Sequence, residues 1–378
     1  MPTLRFQNGK FKILHFTDIQ DSWPVMPEAI QLMEAALDKE KPDLVVFTGD
    51  QIAGYSGKLK GQDGAANIRS VIKTILAPLE AREVPFVFTF GNHDKHSSMP
   101  LPEQFAIYAE SPLCCNVNTP PPEGVTEDAF GTGNCNVPIL GADGKVKFSI
   151  YALDSHGSAG VLGYAPLDAS QVEWYKQTRD KMEAINGTPV PSLLFQHIPV
   201  PEVYDVLAVV PKSKTAIQGF RNHGDKYYAL DPDNCEEGSV FAEMACVPDT
   251  NSGLLDAAAE KGEVLGMYFG HDHKNTFAGV TKGIKLGYTP GVCFSSYGPG
   301  LHRGCRVIEL DEADLSDYKT RVYTAKQLLG ADFTLPLASK FWDMTPTSGE
   351  DFKKRFLPWI IGGLLLITLL IIVAVTTP

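Results

Sequence analysis

VLGMYFGHDH, residues 264–273, decides how this chain is read. Val264 to Phe269 is a short apolar run rich in large side chains, of the length of a buried strand, and a glycine and two imidazoles flanking an acid follow it at once. In an extended segment residues i and i+2 point the same way, so His271 and His273 face one point while Asp272 faces elsewhere. Working outward, the same pattern recurs. FVFTFGNHD at 86–94 presents Asn92, His93 and Asp94 after a run that ends in Gly91, where glycine permits a sharp turn. SLLFQH at 192–197 delivers His197, LVVFTGD at 44–50 delivers Asp50, and FKILHFTD at 11–18 delivers Asp18. Near-continuous apolar runs of this kind read as strands of a parallel sheet, whose exits share one rim.

Taken singly, each signal has a plain explanation: Thr-Asp caps helices, and Gly-Asp makes turns. That reading is kept for the isolated histidines His15, His96, His156, His223 and His302 as structural side chains. The ordered set is different, because Asp18, Asp50, Asn92, His197, His271 and His273 nearly all stand at strand exits. Converging oxygen and nitrogen donors are what two adjacent metal ions require, and two metals roughly 3.5–4 Å apart serve in-line displacement at phosphorus. The expected chemistry is phosphate-ester hydrolysis.

The intervening segments support an α/β fold. Pro27 to Lys39 has helical apolar spacing at Ile30, Met33, Ala36 and Leu37, which makes a βαβ unit with the flanking runs. Ala65 to Arg82 and Ala169 to Ile185 are further helices, and Phe148 to Leu153 is a further strand. Two stretches, Ser111 to Gly144 and Lys212 to Ser252, are rich in Pro, Gly, Asn and Asp and read as insertions over the site. After His273 the strands Asn275 to Val280, Lys285 to Tyr288, Arg306 to Leu310 and Thr320 to Thr324 follow with short turns, so a sandwich of two sheets is expected.

The chain has 378 residues, 45 acids against 33 Lys and Arg, and a formal charge of -12. That balance disfavours adhesion to nucleic acid by simple repulsion. The seven cysteines show no repeated C-x-x-C spacing, so reduced thiols are expected; in an oxidising compartment Cys114 or Cys115 with Cys135, and Cys235 with Cys246, are the pairs to test. The first residues lack the apolar core of a secretory signal. Leu357 to Val375 is uncharged and about as long as a bilayer crossing, with Lys353, Lys354 and Arg355 before it and only Thr376, Thr377 and Pro378 after. The expectation is a C-terminal transmembrane anchor over 357–376 holding a cytosolic catalytic domain over 1–330, with 331–356 as tail and linker. A lipid-anchor signal around Ser348 and Gly349 is the weaker alternative, since it needs an entry signal.

Through FKILHFTDIQD, KPDLVVFTGDQIAGY, FTFGNHD, QHIPVPE, NSGLLDAAAEKGEVLGMYFGHDH and GCRVIEL, about Phe11 to Leu310, the chain resembles the calcineurin-like metallophosphoesterases, in their purple-acid-phosphatase-like branch. The resemblance implies a four-layer α/β/β/α sandwich with a dimetal site at the C-terminal strand ends. It implies that Asp50 bridges both metals, that Asn92, His197 and His271 complete one site, and that Asp18 and His273 hold the other. Fe, Zn or Mn suit such donors. Two departures stand out. Gln20 replaces the histidine of the relatives' D-x-H and offers only a carbonyl oxygen, and Ala53 stands where purple enzymes carry a tyrosine, with Tyr55 two residues on.

The expected reaction is attack on a phosphomonoester, of a small molecule or a phosphoprotein, by a hydroxide bridging the metals. His93 is the candidate to protonate the leaving group, Asp94 its possible orienter. Asn251 and Ser252 are candidates to line the pocket, and Arg221, His223 and Lys226 lie on the second insertion. Phosphodiester or nucleotide hydrolysis is the alternative at the same site, and a metal-deficient scaffold resting on Gln20 is the rival from another class.

Overall fold

The structure is a computed structural model that describes residues 2–160 and 163–376, with side chains as far as residue 368. The chain divides into two compact units, Met1–Asp343 and Met344–Pro378.

In the first unit two sheets dominate. A five-stranded sheet runs Asp314–Thr324, Gly304–Asp311, Lys10–Phe16, Leu44–Thr48, Phe86–Thr89, and a seven-stranded sheet runs Leu4–Arg5, Cys135–Leu140, Val146–Leu153, Ser192–Gln196, Val264–Phe269, Ile284–Tyr288, Ala278–Thr281. The strands that lead into the site pair in parallel within each sheet. Register aligns Phe16 with Phe47, and Phe47 with Phe88, so the exits of these strands lie side by side.

Why the runs are apolar throughout follows from their two faces. On Lys10–Phe16, Leu14 and Phe16 pack against the helices Pro27–Glu40 and Gly64–Glu80, while Phe11 and Ile13 pack toward the other sheet. On Leu44–Thr48, Val45 and Phe47 face the helices, and Leu44 and Val46 face inward. The inward faces meet Ile139, Phe148, Ile150, Leu193, Phe195 and Tyr268 of the seven-stranded sheet. A third cluster joins that sheet's outer face to the helices Ala169–Asn186 and Leu254–Ala259. Three apolar interfaces between four layers give the α/β/β/α sandwich, and both sheets are buried on both sides.

Local signals set the helix ends. Pro27 opens the first helix and Lys41, at φ 46, closes it in the left-handed region. Asp168 and Gln171 form a capping box at the start of Ala169–Asn186, and Gly187 ends it at φ 83.

Both insertions contain regular structure. The first insertion contains the strand Cys135–Leu140 despite Pro138, which is tolerated because only Ile139 and Leu140 pair on the side of Leu4–Arg5. The second holds the strands Ile217–Gln218 and Tyr227–Leu230, which form a small antiparallel sheet with Leu207–Val210 just before it. The compact unit runs on past residue 330. The fully buried Arg303 binds the Asp343 carboxylate at 2.7 and 3.0 Å, and Ser339 donates to the Phe294 carbonyl at 2.6 Å, so the tail to Asp343 is bound into the domain.

The transmembrane anchor is a correction. Among the described residues no helix is long and apolar enough to cross a membrane. The C-terminal helix Gly349–Thr376 starts with Glu350, Asp351, Lys353, Lys354 and Arg355, and its described side chains end at residue 368. Side chains 369–378 of the expected span lie outside the described residues. The single-pass membrane localisation with a cytosolic domain, which rested on that span, falls with it.

Candidate metal centre

At the shared rim four non-glycine residues take the left-handed backbone conformation. Asp18 at φ 50, Gln20 at φ 42, Asp50 at φ 49 and His271 at φ 73 all occupy the left-handed region. Such conformations cost on the order of 1–3 kcal/mol each for residues with a side chain and persist where the surroundings over-determine them. The neighbouring glycines make the crowding possible. A Cβ at Gly91 would lie 2.3 Å from Asp50 Oδ1, and one at Gly270 would lie 2.6 Å from Asp18 Oδ2.

These bends bring the expected donors together. Asp18, Asp50 and His197 are buried and each offers a ligand atom within 4.8 Å of the other two. His197 Nε2 lies 3.2 Å from Asp50 Oδ2 and 3.1 Å from Asn92 Oδ1. His273 Nε2 lies 3.3 Å from Asp18 Oδ1. The ring of His271 stands 5.1 Å from that of His197 and edge-on to Tyr164 at 4.4 Å.

The second ring nitrogens are held from behind. His197 Nδ1 is 2.7 Å from the Thr48 carbonyl, and His273 Nδ1 is 2.7 Å from the Tyr297 carbonyl. A carbonyl only accepts, so each Nδ1 carries the proton and donates it, which turns the Nε2 lone pair toward the carboxylates when the ring is neutral. Tyr297 also stacks on His273 at 4.2 Å. Burial works against charge on His197, yet the Asp50 and Asp18 carboxylates raise it to about 9. Burial, then the charge of His197, lowers His271 to about 3.

The donor set fits a pair of cations. Asp18 Oδ1, Gln20 Oε1 and His271 Nε2 are buried polar atoms with no hydrogen-bond partner. Leaving such atoms unmatched costs roughly 1–3 kcal/mol each, more for a charged group, unless something binds them. Carboxylate, amide and imidazole donors suit Fe, Zn or Mn.

His93 and Asp94 occupy different places from one another. His93 is about a third exposed at the mouth; its amide donates to Asp50 Oδ1 at 2.7 Å, and its ring packs edge-on to Tyr55 at 4.9 Å. Asp94 is buried and accepts from the amides of Asp50, Gly91 and Ile52 at 2.8, 2.7 and 3.1 Å. It fixes the two turns that carry Asp50 and Asn92. Burial and the Asp50 charge push it up to about 8.

Ser252 lines a small pocket with Gln196 and Ile198, the neighbours of His197. Asn251 donates to Glu202 at 2.7 Å and accepts from Gly253, while Ser252 accepts from Leu254 at the start of Leu254–Ala259. Arg221 pairs with Asp249 at 2.7 Å, and His223 stacks on Tyr204 at 4.0 Å. His96 was set aside as structural, yet its Nδ1 lies 3.2 Å from His93 Nδ1. The i, i+3 spacing in HDKH was the available signal.

Residues 11–275 match the family described as calcineurin-like phosphoesterase. Probable inactive purple acid phosphatase 29 of Arabidopsis thaliana is 30% identical over 341 residues, 82% of this chain and 79% of that protein. Phosphatase DCR2 of Saccharomyces cerevisiae is 27% identical over 315 residues, 77% of this chain and 48% of that protein. A solved dimetal phosphatase from Danio rerio is 14% identical with a TM-score of 0.47, covering 83% of this chain and 99% of that one, too distant to carry an argument.

Proposed function

Because this chain belongs to the calcineurin-like phosphoesterase family, in its purple-acid-phosphatase-like branch, we propose that the rim cluster is a two-metal centre that hydrolyses phosphate monoesters. The observation that carries the reading is the pair of buried, unpartnered donor atoms on Gln20 and His271, beside the Asp18–Asp50–His197 cluster. Asp50 would be shared, Asn92, His197 and His271 would serve one ion, and Asp18, His273 and Gln20 the other. Bound there, the ions would supply water of lowered pKa and offset charge on the phosphoryl oxygens.

The chain's own groups do the rest. His93 stands at the mouth, where a leaving oxygen would emerge, and donates a proton to it. Asp94 acts on the backbone, keeping Asp50 and Asn92 in register with each other. The carbonyls of Thr48 and Tyr297 hold two imidazoles in one tautomer. A small phosphorylated molecule or a phosphoprotein residue fits a mouth that opens at His93, and nucleotide or phosphodiester hydrolysis is the neighbouring chemistry.

Gln20 favours a second reading. An amide oxygen is a weaker ligand than imidazole, and relatives named as probable inactive phosphatases share the family, so a chain that keeps the fold with an under-filled centre is the rival. Metal analysis of the full chain in excess Mn or Zn, with turnover of p-nitrophenyl phosphate, separates the two. The enzyme reading expects two ions and hydrolysis; fewer than two ions with no hydrolysis leaves the scaffold.

A further inference from the structure

The mouth beside His93 carries charge that the metal centre does not need. Lys95 follows Asp94 and is exposed, and its side chain lies over Gly157. A Cβ on Gly157 would come within 2.6 Å of Lys95 Cε, 2.7 Å of Nζ and 3.2 Å of the Asn92 Cα. Gly157 is outside the left-handed region, so its backbone does not call for glycine. What the missing side chain provides is room for an ammonium against the backbone of Asn92. No hydrogen bond or ion pair among the described residues engages the Lys95 side chain.

The surroundings strengthen this. Burial lowers His96, Asp50 opposes that, and Lys95 with Lys60 lies near enough to add to the lowering. Lys95 thus stands beside the His93–His96 pair in a chain whose net charge is -12. Cations at the rim of a site raise the local concentration of anionic ligands and orient them.

We infer that Lys95, seated over Gly157, binds a second negative charge on the leaving-group side, so that the preferred ligands of this site are phosphoesters whose leaving group is itself anionic. The inference rests on the hydrolase reading for which side the leaving group occupies.

Binding separates the two. Phenylphosphonate and 4-carboxyphenylphosphonate are non-hydrolysable and differ by one negative charge, and calorimetric titration of the Mn-loaded full chain measures both. The expected result is about fivefold tighter binding of the carboxylated probe at low salt, the scale of one partly exposed ion pair. The ratio of affinities falls toward one in Lys95→Met and in Gly157→Ala, survives in Lys95→Arg, and is unmoved in Lys145→Met, an exposed lysine on a distant hairpin. The preference without hydrolysis would sink the enzyme reading and leave the Lys95 assignment standing. Equal affinity of the wild-type chain for the two probes, or no binding of either, overturns the Lys95 assignment even where hydrolysis is seen.

Discussion

His15 and His271 are both buried imidazoles, and burial is the first cause that lowers each to about 3. They differ in what their nitrogens meet. His15 lies between the sheets with Nε2 2.7 Å from Thr48 Oγ1 and Nδ1 2.7 Å from Thr289 Oγ1, so both ring nitrogens are matched. His271, at the rim, leaves Nε2 with no partner and holds its backbone at φ 73. Equal burial with opposite satisfaction separates a side chain that supports the fold from one that awaits a ligand. The strain collected at Asp18, Gln20, Asp50 and His271 belongs to the second kind of place.

The largest break in that comparison is expected from Asp50→Asn, which keeps an oxygen for the His93 amide but removes the shared charge. Hydrolysis of p-nitrophenyl phosphate should fall at least roughly a thousandfold, since several kcal/mol of charge stabilisation are lost, while circular dichroism stays native; near-normal turnover would remove the mechanism. His93→Ala should reduce turnover by about a hundredfold with metal content intact, the scale of a general acid. A parallel loss of both metals would show instead that His93 supports the centre.

His271→Ala sharpens the contrast directly. Metal affinity should fall by at least the roughly 10–100-fold that loss of an outer partner costs, with the melting temperature of the metal-free chain unchanged or raised, because an unmatched polar atom is removed. A marked loss of metal-free stability would place His271 with His15. The smallest effect belongs to the inter-sheet region: Thr289→Val strands His15 Nδ1 and should cost about 1–2 kcal/mol in denaturant unfolding. If it altered metal content instead, the division between core and rim would not hold.

Much of this was legible in the chain. Asp18, Asp50, Asn92, His197, His271 and His273 could be read because each follows, directly or within a few residues, an apolar run whose length and composition specify a buried strand, and strand exits in parallel sheets share a rim. The roles of neighbours were less legible. Asp94 reads in the motif like another polar group of the site, yet it spends both oxygens on backbone amides, of Gly91 in its own turn and of Asp50 and Ile52 in another. The strand at Cys135–Leu140 was hidden by its proline, and the C-terminal apolar run suggested a crossing, whereas among the described residues no helix is long and apolar enough for one.

Periodicity and residue type by themselves determined the layers, the parallel core and which donors reach one edge, because these follow from how a strand alternates its faces and where it stops. Only the tertiary structure decided which buried polar atoms are matched, which tautomer each imidazole holds, that His96 meets His93, that Arg303 draws the tail to Asp343 into the domain, and that Lys95 rests over Gly157. Those depend on the close approach of segments distant in the chain, and hydrogen bonding and steric fit act over a few ångströms that no local pattern records.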